Sequence, residues 1–172
     1  RMEIRIASSD PVNVPGEILI KGANVFLGYF KNEEATKAVF TKDGWFRTGD
    51  MGVVDKDGCL FIKGRSKCMI LGPSGQNIYP EEVETVINSQ PYVVDSLVVE
   101  DDGGLTGLIY PDFAQGAKDG MDQDTFIKYI EDTLPELNKE LPNYAKLKKI
   151  EVMSEDFERT PKKSIKRYLY QR

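Results

Sequence analysis

The chain reads as an α+β protein of two parts. Up to Lys63 it consists of short alternating strand segments separated by turn signals, and after Arg65 the pattern changes to amphipathic helices alternating with apolar strands. A small sheet of about three strands covered by helices is the expected architecture of the second part. The division is expected near residues 65 and 66.

In chain order, strands are expected over Glu3 to Ile6, Glu17 to Lys21, Gly52 to Val54 and Cys59 to Lys63, with Trp45-Phe46-Arg47 also strand-like. Val14-Pro15-Gly16 and Asp55-Lys56-Asp57-Gly58 are turn sequences, and the second suits a hairpin with positive φ at Gly58. One helix interrupts them: Asn32 caps Glu33 to Phe40, whose first-turn acids complement the helix dipole. In the second part Tyr79-Pro80-Glu81-Glu82 opens a helix with proline early, and Val83, Val86 and Ile87 form its apolar face. Strands follow at Val93 to Val99 and Leu105 to Tyr110. A helix over Gln123 to Leu134 presents Phe126, Ile127, Ile130 and Leu134. Pro142 marks a break, Lys148 to Val152 is the third strand, and Lys162 to Tyr170 reads as a closing helix.

With 172 residues, 40 % of them hydrophobic and 30 % charged, the chain has the composition of a globular protein. No apolar run approaches the ~20 residues that span a bilayer, so no transmembrane segment is expected. The N-terminal Arg1-Met2-Glu3-Ile4-Arg5-Ile6 lacks a signal-peptide core, and the chain reads as beginning inside a longer protein. A net charge of −5 argues against nucleic acid as partner. The local exception is Arg159 to Arg172, with six Lys or Arg and no acid; a solvated helix end, a membrane or nucleic-acid contact and an anionic-substrate contact all fit it. Histidine is absent, which excludes Ser-His-Asp and Cys-His nucleophilic machinery and every histidine metal site. The only cysteines, Cys59 and Cys68, stand in apolar strand-like contexts and are expected as buried thiols in a reducing cytoplasm.

Three segments carry candidate chemistry. In Asp43-Gly44-Trp45-Phe46-Arg47-Thr48-Gly49-Asp50, a strand running into Gly49 leaves Asp50 projecting from a turn, where its carboxylate can either cap the turn or accept both hydroxyls of a ribose. Lys63-Gly64-Arg65-Ser66-Lys67 follows, then Gly72-Pro73-Ser74-Gly75-Gln76-Asn77 ahead of Ile78-Tyr79-Pro80-Glu81-Glu82-Val83-Glu84. No P-loop, dinucleotide fingerprint or nucleophile elbow is present.

These segments, in this order, resemble the closing third of an adenylate-forming ligase, the superfamily of acyl-CoA synthetases, luciferases and peptide-synthetase adenylation domains. The resemblance runs from about Gly16 to the C-terminus. It implies that residues 1–65 are the β-rich end of a large N-terminal adenylation domain and residues 66–172 a small mobile C-terminal domain. It further implies that Asp50 and Arg65 bind the nucleotide, that Lys67 is the hinge, and that the Gly75 loop walls the tunnel for a pantetheine thiol, where a Cβ would narrow the passage.

The family's C-terminal Thr-Pro-x-x-Gly-Lys-Ile-x-Arg, whose lysine offsets charge during adenylation, corresponds to Thr160-Pro161-Lys162-Lys163-Ser164-Ile165-Lys166-Arg167. Counted back from Ile165 and Arg167, Ser164 stands in the lysine register. Lys163 is the expected catalytic cation, Lys166 is a second candidate, and an impaired first step, as in a non-catalytic nucleotide-binding or regulatory module on the same fold, is the remaining alternative. Gly16 to Gly22, Phe26-Leu27-Gly28-Tyr29-Phe30 and Ile70 to Glu82 look most like the bacterial long-chain fatty acid CoA ligases. The implied substrates are a fatty acid or other carboxylate, ATP with Mg2+ held mainly by the N-terminal domain, and CoA. That domain is the implied partner, and the location is cytoplasmic or peripheral to a membrane. The fragment alone is expected to be inactive.

Overall fold

A computed structural model describes residues 2–172. It divides into two compact units, Arg1–Met69 and Ile70–Arg172.

The first unit is a four-stranded antiparallel sheet in sequential order, β1 (Met2–Ala7), β2 (Gly16–Gly22), β3 (Phe46–Val54) and β4 (Leu60–Arg65). β3 is longer than the expected Gly52 to Val54 because the strand-like Trp45-Phe46-Arg47 and the apolar run after Asp50 belong to one strand, bent by register shifts against both neighbours. The Asp55–Gly58 turn has Gly58 at φ 83°. Helix α1 (Glu33–Val39) starts at Asn32, whose side chain accepts the Ala35 N–H at 3.0 Å. Phe26, Tyr29, Phe40 and Phe46 pack as tilted and edge-on rings 5.1–5.7 Å apart. Cys59 is exposed, against expectation: it ends the hairpin turn, with its N–H on the Asp55 carboxylate, so the period-2 pattern that buries a mid-strand thiol does not reach it. Cys68 is half-buried, and neither cysteine forms a disulfide.

In the second unit a two-stranded ribbon, β5 (Ile70–Leu71) and β6 (Asn77–Ile78), leads into α2 (Pro80–Asn88). A three-stranded sheet follows, β7 (Val93–Asp101), β8 (Gly104–Pro111) and β9 (Leu147–Val152), with β8 central, antiparallel to β7 and parallel to β9. The parallel pair needs a crossover, supplied by α3 (Phe113–Lys118), α4 (Gln123–Glu131) and α5 (Leu134–Glu140). The fold is therefore α+β, as the alternation of apolar segments predicts.

The expected single helix over Gln123 to Leu134 is two. Pro135 lacks the N–H that continuation would need, so it sits in the first turn of a new helix. Helix α3 was not expected; Asp112 caps it by accepting the Gln115 N–H.

The sheet is buried on both faces. One face packs Val98, Leu105, Ile109, Leu147 and Ile150 against Val83 and Ile87 of α2, Phe126 and Ile130 of α4 and Leu137 of α5. The other packs Leu97, Val99 and Leu108 against Phe157, with Met153, Ile165 and Tyr170 around them. That second layer is the C-terminal segment, and it is not the expected helix over Lys162 to Tyr170. It holds a turn at 161–163 and a 3-10 turn, Arg167–Leu169. Ile165 and Tyr170 are anchored on the sheet, and a bridge between Arg159 and Ile165 closes the chain on itself, so side-chain anchoring overrides helix propensity.

Candidate functional site

In the first unit Asp50 lies opposite Arg65 in the β3–β4 register, and the Arg65 guanidinium donates to Asp50 Oδ1 at 2.8 Å. Asp50 Oδ2 makes no hydrogen bond among the described residues, so one carboxylate oxygen stays available beside a cation. The irregular stretch of β3 before it is fixed from β2. Glu17 Oε2 accepts the Arg47 Nε and Nη2 hydrogens at 2.9 and 2.8 Å, and its Oε1 accepts the Gly49 N–H at 3.2 Å. Gly49 adopts φ 74°, a left-handed conformation that a side chain disfavours, within the register shift of β3 against β2, so Asp50 sits at an irregularity inside the sheet and does not project from a turn as expected. The Thr48 hydroxyl donates to the Ile18 carbonyl at 2.8 Å and accepts the Asp50 N–H at 3.0 Å. Sequence reasoning missed Glu17. The available signal was an acid inside the apolar Gly16-Glu17-Ile18-Leu19 run, a place where charge needs a partner.

Lys67 lies exposed in a 3-10 turn, Ser66–Cys68, two residues before the boundary between the units. In the second unit Gly75 has φ 77° in the loop closed by Gly75 N–H to Gly72 O and Gly72 N–H to Gln76 O, both at 2.8 Å. A Cβ added there meets no atom within 4 Å, so within this unit the demand for glycine comes from the backbone angle and not from crowding. A cavity of about 290 Å³ opens beside this loop, lined by Leu71, Pro73, Ser74, Glu100, Tyr144 and Lys146 among others.

The basic run at the C-terminus is largely neutralised inside the second unit. Arg159 bonds Asp95 at 2.8 Å and Asp156 at 2.9 Å, Lys166 bonds Glu158 at 3.0 Å, Arg167 bonds Glu84, and Arg172 bonds Asp101 at 2.9 Å and Glu151. Those partners raise the Arg159 and Lys166 pKa values, and the Arg172 and Lys149 cations hold the Glu151 carboxyl at about 2.

Two cations of the run remain. Lys162 and Lys163 are exposed at the tip of the Arg159–Ile165 turn, and neither side chain forms an ion pair among the described residues. The tip is shaped by Lys163 N–H to Thr160 O and Thr160 N–H to Ser164 O, both 2.8 Å, and by Arg159 Nη1 to Lys163 O at 3.3 Å. Lys163 takes φ 63°, the left-handed region.

Asp50 and Arg65 thus come together in the first unit, whereas Gly75, Lys163 and Lys166 lie in the second, Lys163 unpaired and Lys166 paired. Among the described residues no three cysteine or acidic side chains converge to hold a metal ion. No helix of the described residues is long and apolar enough to cross a membrane.

Comparison with known proteins returns one family, described as the AMP-binding enzyme C-terminal domain, over residues 68–172. A 2-succinylbenzoate–CoA ligase of Bacillus cytotoxicus is 47 % identical over 89 residues, which is 52 % of this chain and 18 % of the relative. The long-chain-fatty-acid–CoA ligase FadD15 of Mycobacterium tuberculosis is 44 % identical over 94 residues, 55 % of this chain and 16 % of the relative. Among solved structures, the o-succinylbenzoate coenzyme A synthetase of Bacillus subtilis in complex with ATP and magnesium ion superposes with a TM-score of 0.78 at 30 % identity, over 97 % of this chain and 33 % of that one. The chain spans a third or less of the proteins it resembles.

Proposed function

Because the chain belongs to the family of AMP-binding enzyme C-terminal domains, we propose that it is the closing part of an AMP-forming acid–thiol ligase. In this reading a carboxylate oxygen attacks the α-phosphate of ATP and diphosphate leaves. The CoA thiol then attacks the acyl carbon, and AMP leaves with the former carboxylate oxygen.

The observation that carries the reading is the tip of the Arg159–Ile165 turn: every other cation of the run is tied to an acid, while Lys162 and Lys163 project from a braced hairpin. Lys163 is assigned the cation that offsets charge at the α-phosphate, and its lack of an internal partner favours it over Lys166. Asp50, through Oδ2, accepts the ribose hydroxyls, and Arg65 orients it. Lys67 is the point about which the second unit turns between the two steps, and the Gly75 loop borders the thiol's path. In the first unit Leu27 and Phe30 are 100 % and 89 % exposed. Such neighbouring apolar area supports the reading of residues 1–65 as the end of a larger adenylation domain, which would supply the Mg2+ and acyl sites.

The acid is proposed to be a long-chain fatty acid, on the likeness of Ile70 to Glu82 to that branch and on the FadD15 match. Relatives named for succinylbenzoate and for 2-methylpropanoate make other acids the alternative. The test is acid-dependent ATP–pyrophosphate exchange by the full-length polypeptide over short, aromatic and long acids. Exchange fastest with long acids supports the assignment, and exchange confined to another acid overturns it while keeping the ligase.

One observation favours a second reading. In the register counted back from Ile165 and Arg167, the left-handed Lys163 occupies the family's glycine position and Ser164 the lysine position. A nucleotide-binding module without catalysis would look the same, and it would bind ATP yet give no exchange with any acid.

A further inference from the structure

The hairpin that carries Lys163 packs on one face of the sheet, and helix α2 packs on the other. A single buried carboxylate joins them around the free edge of β7. Glu84 of α2 is 8 % exposed. Its Oε1 accepts the Val98 N–H at 2.7 Å, a donor on edge strand β7 that β8 does not use. Its Oε2 accepts the Arg167 guanidinium, and Arg167 follows directly on the hairpin leg that ends at Ile165 and Lys166.

A buried ion pair is poor value as a stabiliser, because desolvation offsets most of the attraction and an apolar pair would serve as well. Burial does push the Glu84 carboxyl upward, against the pull of Arg167 and the Val98 N–H. What a carboxylate supplies and an apolar residue cannot is direction: one oxygen is fixed to the main chain of the sheet, and the other fixes the guanidinium at the root of the hairpin. The other leg is tied through Arg159 to Asp95 of the same strand, and the Arg159 guanidinium also holds the Lys163 carbonyl. The tip is thereby braced from both legs on β7.

We propose that Glu84 is a positioning residue for Lys163, acting through Arg167 to fix where the tip cation stands. The inference rests on the ligase reading for its catalytic consequence, but the brace itself does not. In the Glu84→Gln variant the amide oxygen can still accept the Val98 N–H. The amide hydrogens face Arg167, whose nearest remaining acid is Glu81 at 3.9 Å, so the root of the hairpin shifts while the sheet stays intact.

Two readouts test it. In this chain, tryptic cleavage at the Lys163–Ser164 bond, followed by mass spectrometry, is expected to accelerate ~10-fold or more in Glu84→Gln while cleavage in the first unit is unchanged. In the full-length polypeptide, ATP–pyrophosphate exchange is expected to lose ~10- to 100-fold in kcat, with the acid KM within ~3-fold, since misplacing a catalytic group by about 1 Å costs up to ~100-fold. Thioester formation from pre-formed acyl-adenylate stays within ~3-fold of the parent, and the Glu84→Gln/Arg167→Gln double variant is no worse than either single one. Arg167→Gln tests the same brace from its less buried end if Glu84→Gln fails to fold. Unchanged tip cleavage, or equal loss in both half-reactions, overturns the proposal. A parent without exchange removes the ligase reading, and the cleavage rates alone then decide whether the brace exists.

Discussion

Replacing Lys163 separates the backbone demand of the tip from its charge. At φ 63° the residue holds a conformation that costs a side chain ~1–2 kcal/mol, which glycine escapes. Glycine also frees the unfolded chain, at a cost of ~0.5–1 kcal/mol. The tip's hydrogen bonds use the main chain of Lys163, through its N–H to Thr160 and its carbonyl to Arg159, and survive any substitution that keeps the turn. Lys163→Gly is therefore expected to leave stability unchanged or raise it by up to ~1.5 kcal/mol. Its effect on adenylation should be large. A unit charge 4 Å from the developing charge, at an effective dielectric of ~20, is worth ~4 kcal/mol, and removal of comparable electrostatic donors lowers kcat by ~100- to 1,000-fold. Exchange by the full-length polypeptide should fall by that factor, with the folded fraction confirmed by ellipticity at 222 nm. The Lys163→Gly/Ser164→Lys double variant, which puts glycine in the left-handed position and lysine after it, should recover most of the loss. Exchange in Lys163→Gly within ~3-fold of the parent would refute the assignment of the cation.

Three further outcomes are expected. Asp50→Ala removes a charged acceptor whose hydrogen bonds are worth ~1.5–3 kcal/mol, so the full-length polypeptide should bind ATP ~10- to 100-fold more weakly by calorimetry; unchanged affinity would leave Asp50 only as the ion-pair partner of Arg65. Gly116→Ala places a Cβ 2.7–2.9 Å from the Phe126 ring, itself held edge-on by Tyr92 and Phe113. Overpacking should outweigh the gain in helix propensity and cost ~1–2 kcal/mol in urea unfolding followed at 222 nm, whereas fluorescence of the sole tryptophan, Trp45, reports on the first unit. Arg172→Ala removes the first of the two cations that hold Glu151 at about 2 and leaves Lys149. A carboxyl depressed in the folded state contributes stability above its unfolded pKa and loses it as pH falls through the folded one. The parent should thus be more stable than the variant at pH 6, with the difference shrinking as pH falls from about 4.5 through about 2 and gone only below that.

Much of the fold was legible because its signals are local. Asn32 and Pro80 open their helices, Gly58 closes its hairpin, and the apolar runs from Val93 and Leu105 become strands. The misreadings share a cause. The residues from Lys162 to Tyr170 have the composition of a helix, and what holds them otherwise is non-local: Arg167 finds Glu84, Arg159 finds Asp95, and Ile165 and Tyr170 find the sheet. Cys59 looked buried because its neighbours are apolar, but it sits where the turn ends. The candidate site divides in the same way. Asp50, Arg65, Gly75 and Lys163 stand in motifs that sequence displays, whereas Glu17 and Glu84, which hold two of those segments in place, act across 30 and 83 residues of chain and carry no motif.

The measurement that bears most directly on the account is the fate of the carboxylate oxygen. The full-length polypeptide is supplied with ATP, CoA and a long-chain acid labelled with oxygen-18 in its carboxylate, and the products are weighed by mass spectrometry. Attack of the carboxylate on the α-phosphate, followed by thiol attack at the acyl carbon, predicts one labelled oxygen in every AMP and none in the diphosphate. Unlabelled AMP, or ADP in its place, would contradict the adenylate chemistry.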